Sequence, residues 1–175
     1  AWGDHLYTQE EAGDGAVLIR IDYRTLQREE LILLPAAEGR YSYGTVSPDG
    51  RYYAVIVHPE GAPCRLLLFD LARGGRRGLA EAANQLFKHE QFSLDGRNRI
   101  LIQANSADVT VVNLGAVGVD GGEIEWLPVD APPLTPIGRW PGGERYTPRC
   151  TGHEAWIGAT GRVFLSTAYD EARRA

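Results

Sequence analysis

Three residues carry the chemistry this sequence offers. His89, in His89-Glu-Gln-Phe-Ser-Leu-Asp-Gly96, and His153, in Cys150-Thr-Gly-His-Glu-Ala-Trp156, each stand just ahead of an apolar run leading into a glycine turn. Arg65, in Pro63-Cys-Arg-Leu-Leu-Leu-Phe-Asp-Leu71, opens a third run in the same rhythm. An imidazole titrates near neutrality and serves as a base or a metal ligand. A guanidinium clamps a carboxylate through paired N–H groups. A base, a metal-type ligand and a cation, each at the mouth of a β-strand, point to one site assembled from neighbouring repeats. Singly, each has a plainer use. Either histidine can hydrogen-bond a turn, and Arg65 can pair with Asp70 or Glu60 on a solvated edge. His5 and His58 read as structural or surface groups.

The elements that must position these residues are short strands. Trp2 to Tyr7, Ala16 to Asp22 and Glu29 to Leu34 read as strands, with a polar turn at Gln9 to Gly15. Ser47-Pro-Asp-Gly50 is a tight turn, because proline presets φ and glycine accepts a positive φ. Strands follow over Tyr52 to Val57 and Arg65 to Leu71, then a weaker one at Leu79 to Ala83. The series restarts at His89, passes the Ser93-Leu-Asp-Gly96 turn, and restarts again at His153. Gly50 and Gly96 stand 46 residues apart, a spacing typical of four-stranded propeller blades. The next interval, Gly96 to Gly161, is 65 residues, with the excess in a proline-rich stretch.

The expected fold is therefore all-β: a partial β-propeller forming a single domain over 1–175. Its parts are a partial blade at 1–37, blades at 38–84 and 85–130, an inserted loop at 131–150 and a partial blade at 151–175. Such a set cannot close a ring of about 4–8 blades. The chain thus reads as a fragment, its open edges covered by missing blades or another copy. Arg139 and Trp140 on the inserted loop are candidates for a ligand-facing lid, since long ordered loops often carry function.

The net charge of −5 argues against nucleic-acid binding through a bulk basic field. No apolar run approaches the roughly 20 residues of a membrane span. Two distant cysteines, Cys64 and Cys150, match no metal spacing and favour a reducing compartment. No phosphate loop, dinucleotide fingerprint or nucleophile elbow occurs.

Tyr43-Gly-Thr45, Cys64-Arg-Leu66 with Phe69-Asp-Leu71, His89, and Thr151-Gly-His-Glu-Ala-Trp156 follow one another at blade spacing. In that order the sequence resembles the oligogalacturonate lyase family, polysaccharide lyase family 22, whose members are seven-bladed propellers. The resemblance implies a lyase that cleaves short oligogalacturonides, products of pectin breakdown, in the bacterial cytoplasm. It implies His89 as general base, Arg65 beside it, and His153 as one ligand of a manganese ion (Mn2+) whose other ligands lie beyond this chain. Arg145 and Arg149 would meet a second uronate carboxylate. Ile102-Gln-Ala-Asn105 and Val109-Thr-Val-Val112 depart from the family pattern. The alternative is a non-catalytic binding module of the TolB or WD type, in which the Ser-Pro-Asp-Gly turns are scaffold only.

Overall fold

The computed structural model describes residues 3–82, 85–106, 112–127, 138–139, 145–146, 153–156, 158–160 and 163–166. Antiparallel sheets dominate them. The first sheet has the order β1 (His5–Ala12), β2 (Gly15–Asp22), β3 (Arg28–Pro35). The second is built from β4 (Arg40–Tyr41), β5 (Thr45–Val46), β6 (Tyr52–His58), β7 (Cys64–Asp70) and β8 (Arg76–Ala82), with both short strands pairing with β6. The third comprises β9 (Gln85–Phe92), β10 (Arg99–Ser106), β11 (Val112–Gly118) and β12 (Glu125–Leu127). Two short pairs follow, β13 (Gly138–Arg139) with β14 (Arg145–Tyr146), and β15 (His153–Trp156) with β16 (Val163–Ser166).

The sheets stack face to face, and period-2 alternation sorts the side chains between them. Along β6, Tyr53, Val55 and Val57 pack with Leu18 and Leu34 of the first sheet. Tyr52, Ala54 and Ile56 pack instead with Phe87, Ile100 and Ile102 of the third. β6 is therefore covered on both faces, which explains why its sequence is a continuous apolar run rather than an alternating one. On the far side of the third sheet, Leu101 and Ala116 meet Trp156 of β15. Inner strands lie side by side, β9 next to β5 and to β15. This is the arrangement of a partial β-propeller.

Some strand limits differ from the sequence reading. β1 continues through Gln9 to Ala12, where a turn was expected, because Gln9 to Ala12 pair residue for residue with Gly15 to Leu18. Backbone pairing prevails over side-chain polarity there. β9 starts at Gln85, so His89 is the fifth residue of its strand and does not stand ahead of it. The reason is that Gln85 to Lys88 pair with Gln103 to Ser106 of β10. Asp70 accepts Arg51 at 3.1 Å, so it is not the partner of Arg65. Among the described residues no helix is long and apolar enough to cross a membrane.

Candidate functional site

The inner strands of the second and third sheets each run into a Ser-x-Asp-Gly turn. Ser47 and Ser93 open these turns, and Tyr43 and His89 each stand four residues before them. Tyr43 and His89 thus occupy one level on adjacent inner strands, and both line the same cleft. At that level both strands are irregular. Residues 42–44 interrupt the pairing between β4 and β5, and Gly44 has φ +68°. A Cβ at Gly44 would overlap the ring of Tyr53. Glycine is needed for both reasons. The Tyr53 hydroxyl is held by Gln9 Oε1 at 2.8 Å and the Tyr43 carbonyl at 3.2 Å, fixing the break in place. Tyr43 is left 89% exposed.

β9 keeps its pairing but bulges. Lys88 faces Gln103 and Gln91 faces Leu101, so His89 and Glu90 together oppose the single residue Ile102. His89 takes φ +55° there, the positive-φ non-glycine residue that lies inside a described strand. A left-handed conformation costs a non-glycine residue about 1–2 kcal/mol. Bulges of this kind re-aim side chains at functional sites. Here the bulge presents an exposed imidazole to the cleft.

Glu90, next in the chain, turns the other way and enters the break. Its carboxylate accepts the Ser42 hydroxyl, and the Ile56 N–H at 3.4 Å. Burial pushes the Glu90 carboxyl up, against the opposing hydrogen bonds from Ser42, Ile56 and Gly44. The residue is an inter-sheet clamp that ties the Tyr43 segment to the His89 bulge.

The cleft encloses about 890 Å³. Its lining includes the cations Arg40 and Lys88, His58, and the carboxylates Glu10 and Glu11 from the end of β1. His58 Nδ1 lies 3.1 Å from Cys64 Sγ. Burial, and then the charges of Arg40 and Lys88, push its imidazole below the ordinary value, so it is neutral at pH 7. His58 consequently adds no positive charge to that of Arg40 and Lys88.

Of the sequence-predicted residues, His89 lines the cleft and Arg65 does not. Tyr41, Val57, Arg65 and Glu81 form one cross-strand row, which puts Arg65 two strands, about 10 Å, behind the Tyr41 wall. Tyr41 itself is pushed up to about 12, by burial first and then by Glu38. His153 opens β15, pairing with Ser166. That strand abuts β9 where Trp156 donates through its backbone N–H to Gln91 Oε1 and through Nε1 to the Gln91 carbonyl, both at 3.1 Å. The side chains of His153, Arg139 and Arg145 lie outside the described residues, as do Trp140 and Arg149 entirely.

Sequence reasoning missed Lys88, Arg40 and Tyr43 as cleft residues. The usable signal was the Ser47/Ser93 equivalence, which places Tyr43 opposite His89. Among the described residues no three His, Cys, Asp or Glu side chains gather to hold a metal ion. They do not by themselves fit a manganese site.

No model of a known protein family matches the sequence, and no curated protein matches it. Solved structures do. TolB from Acinetobacter baumannii superposes over 94% of this chain and 38% of its own, at 13% identity and a TM-score of 0.57. An oligogalacturonate lyase in complex with manganese covers 97% of this chain and 48% of its own, at 16% identity and a TM-score of 0.59. The β-propeller domain of the Trilobed protease from Pyrococcus furiosus, described as having an open velcro topology, covers 96% and 55%, at 14% identity and a TM-score of 0.53. This chain spans about half the length of these structures or less. At such identities the likeness is one of fold, and what the chain shares with a manganese-bound lyase, a TolB protein and a protease domain is the β-propeller.

Proposed function

We propose that the cleft binds a short acidic sugar chain of the oligogalacturonide class, and that His89 removes the proton alpha to a uronate carboxylate. One observation carries this reading: a strained bulge turns His89 into a cleft that Lys88 and Arg40 also line.

The reaction is a β-elimination. The C–H bond alpha to the carboxylate breaks, its proton passes to the His89 imidazole, and its electron pair forms the new C=C bond. The β-linked oxygen departs and takes a proton from solvent. The carboxylate's own charge opposes carbanion formation, so a cation must offset it. Lys88 and Arg40 supply positive charge at the cleft, and Arg65 adds to it from behind Tyr41. Tyr43 offers an exposed ring for a sugar face. No step is assigned to a metal.

The test follows unsaturated-product absorbance from digalacturonate, using this chain and a longer chain that includes further blades, each with and without Mn2+. The expected result is product from the longer chain, lost in His89→Ala, and little or none from this chain alone. Absence of product from the longer chain under every condition rejects the lyase.

A second reading has its own support. The described residues hold no metal-ligand cluster, and the TolB likeness is of similar quality. On that reading the cleft binds its ligand without turnover. Saturable digalacturonate binding, weakened by Lys88→Ala and unaccompanied by product, would select it.

A further inference from the structure

A second groove opens at the other end of β6. His58, the last residue of that strand, lines the cleft, whereas Tyr52, the first, lines this groove of about 310 Å³. They are the two ends of a seven-residue strand, about 20 Å apart. The groove lies between the second and third sheets. Tyr52 and Leu68 belong to the face packed on the third sheet, Arg77 stands opposite Leu68, and Asp120 contributes from beyond β11.

Three of its arginines arrive from different segments: Arg51 ahead of β6, Arg73 in the β7–β8 turn, and Arg77 on β8. Arg51 is pre-oriented. Its guanidinium pairs with Asp70 at 3.1 Å and lies 4.7 Å from the centroid of the Tyr52 ring. The same Asp70 also accepts the N–H groups of Ala72 and Arg73, so its charge is already satisfied. Arg73 and Arg77 pair with no carboxylate among the described residues, whereas Arg76 of the same groove, and Arg20, Arg24 and Arg28 of the first sheet, each do. Two such cations against Asp120, the remaining carboxylate of the lining, leave a local positive excess in a chain of net charge −5.

We propose that this groove binds a small ligand through a phosphate-type oxyanion, gripped by Arg51, Arg73 and Arg77. A carboxylate is satisfied by one bidentate guanidinium, whereas a phosphate dianion accepts from several guanidiniums converging on it. The volume is at the low end for small-molecule sites, which suits a free phosphate or a small phosphate monoester rather than a polymer. The site is independent of the cleft and of any sugar chemistry there.

The test is titration of the full chain by calorimetry and amide chemical shifts at constant ionic strength. The probes are inorganic phosphate, glycerol 3-phosphate and, as the carboxylate comparator, acetate. Saturable binding of a phosphate probe with shifts at residues 51–52 and 70–77 is expected. Arg73→Gln and Arg77→Gln each weaken it at least about tenfold, Arg77→Lys weakens it less, and Arg24→Gln leaves it unchanged. Tighter binding of glycerol 3-phosphate than of phosphate identifies an ester as ligand, and the reverse identifies the free ion. Circular dichroism on each variant controls for folding, which the exposed positions of Arg73 and Arg77 should preserve. No saturable phosphate binding, acetate binding equally well, or binding indifferent to both glutamine substitutions overturns the proposal.

Discussion

The second and third sheets repeat one plan and differ at one level. Both inner strands run into a Ser-x-Asp-Gly turn in which the serine N–H returns to the next strand, to the Tyr52 carbonyl in one and the Arg99 carbonyl in the other. Both aspartates accept the N–H two residues on, at 3.0 Å. Above the turns the sheets diverge. The second breaks its inner strand at Gly44, while the third keeps its strand and buckles it at His89. Each irregularity is locked by the other through Glu90 and Ser42. Repetition supplies a scaffold whose energetics are shared, and departure from it supplies the cleft.

Substitutions at the shared scaffold should have the largest effect. Ile56 and Ile102 meet in the core between the two sheets, both fully buried. Ile56→Ala and Ile102→Ala should each destabilise by about 2–5 kcal/mol in urea unfolding. A much smaller loss at either would mean that the sheets do not rely on one common core.

The next effects should have opposite signs at the two irregular positions. Gly44→Ala adds a left-handed penalty of about 1–3 kcal/mol and displaces Tyr53. His89→Gly removes strain, so its stability should match or exceed the parent by up to about 1 kcal/mol while cleft function is lost. If His89→Gly is instead strongly destabilising, the bulge is structural and does not serve the cleft.

The two buried acids should divide by pH. Asp95 lies well below its ordinary value of 3.8, at about 2: burial opposes its ionisation, but hydrogen bonds from Ser93, Arg97 N–H and Arg99 prevail. Its stabilisation is present above 3.8 and is lost as pH falls through about 2. Glu90 is shifted up from 4.5, so its contribution is full below 4.5 and is lost as pH rises through the higher folded value. Asp95→Asn should abolish the acid-side loss, and Glu90→Gln should flatten the decline above 4.5. Unfolding midpoints across that range check both signs.

The smallest effect should come from the more exposed of two arginine pairs. Arg99 and Asp95 meet at 2.7 Å with side chains 18% and 8% exposed, against 36% and 21% for Arg51 and Asp70. Arg51→Gln should leave the urea unfolding midpoint almost unchanged, and Arg99→Gln should lower it by a clearly larger margin.

Much of the fold was legible. Residues 52–57 and 66–69 are apolar throughout, and only strands covered on both faces bury every side chain in this way. The spacing of 46 residues also revealed the repeat, yet it hid a difference. Tyr52 N–H bonds the Ser47 hydroxyl five residues back, whereas Arg99 N–H bonds the Ser93 hydroxyl six residues back. The extra residue falls after the glycine, at Asn98 with φ +49°, where a glycine-to-glycine count is blind. The polar end of β1, Gln9 to Ala12, reads as a turn in the sequence because register, not polarity, decides pairing at a sheet edge.

The candidate site was legible only in part. His89 was evident as a residue type, and its companions were not, because cleft neighbours here are far apart in sequence. Amino-acid order alone determined the strand faces, the serine-aspartate-glycine turns and the repeat, since each depends on a period or on interactions spanning a few residues. Tertiary packing decided that Glu90 enters a break 46 residues away, that His89 is bent outward, and that Arg65 stays behind Tyr41. Those outcomes depend on which side chains neighbouring sheets present to one another, and local patterning carries no record of that.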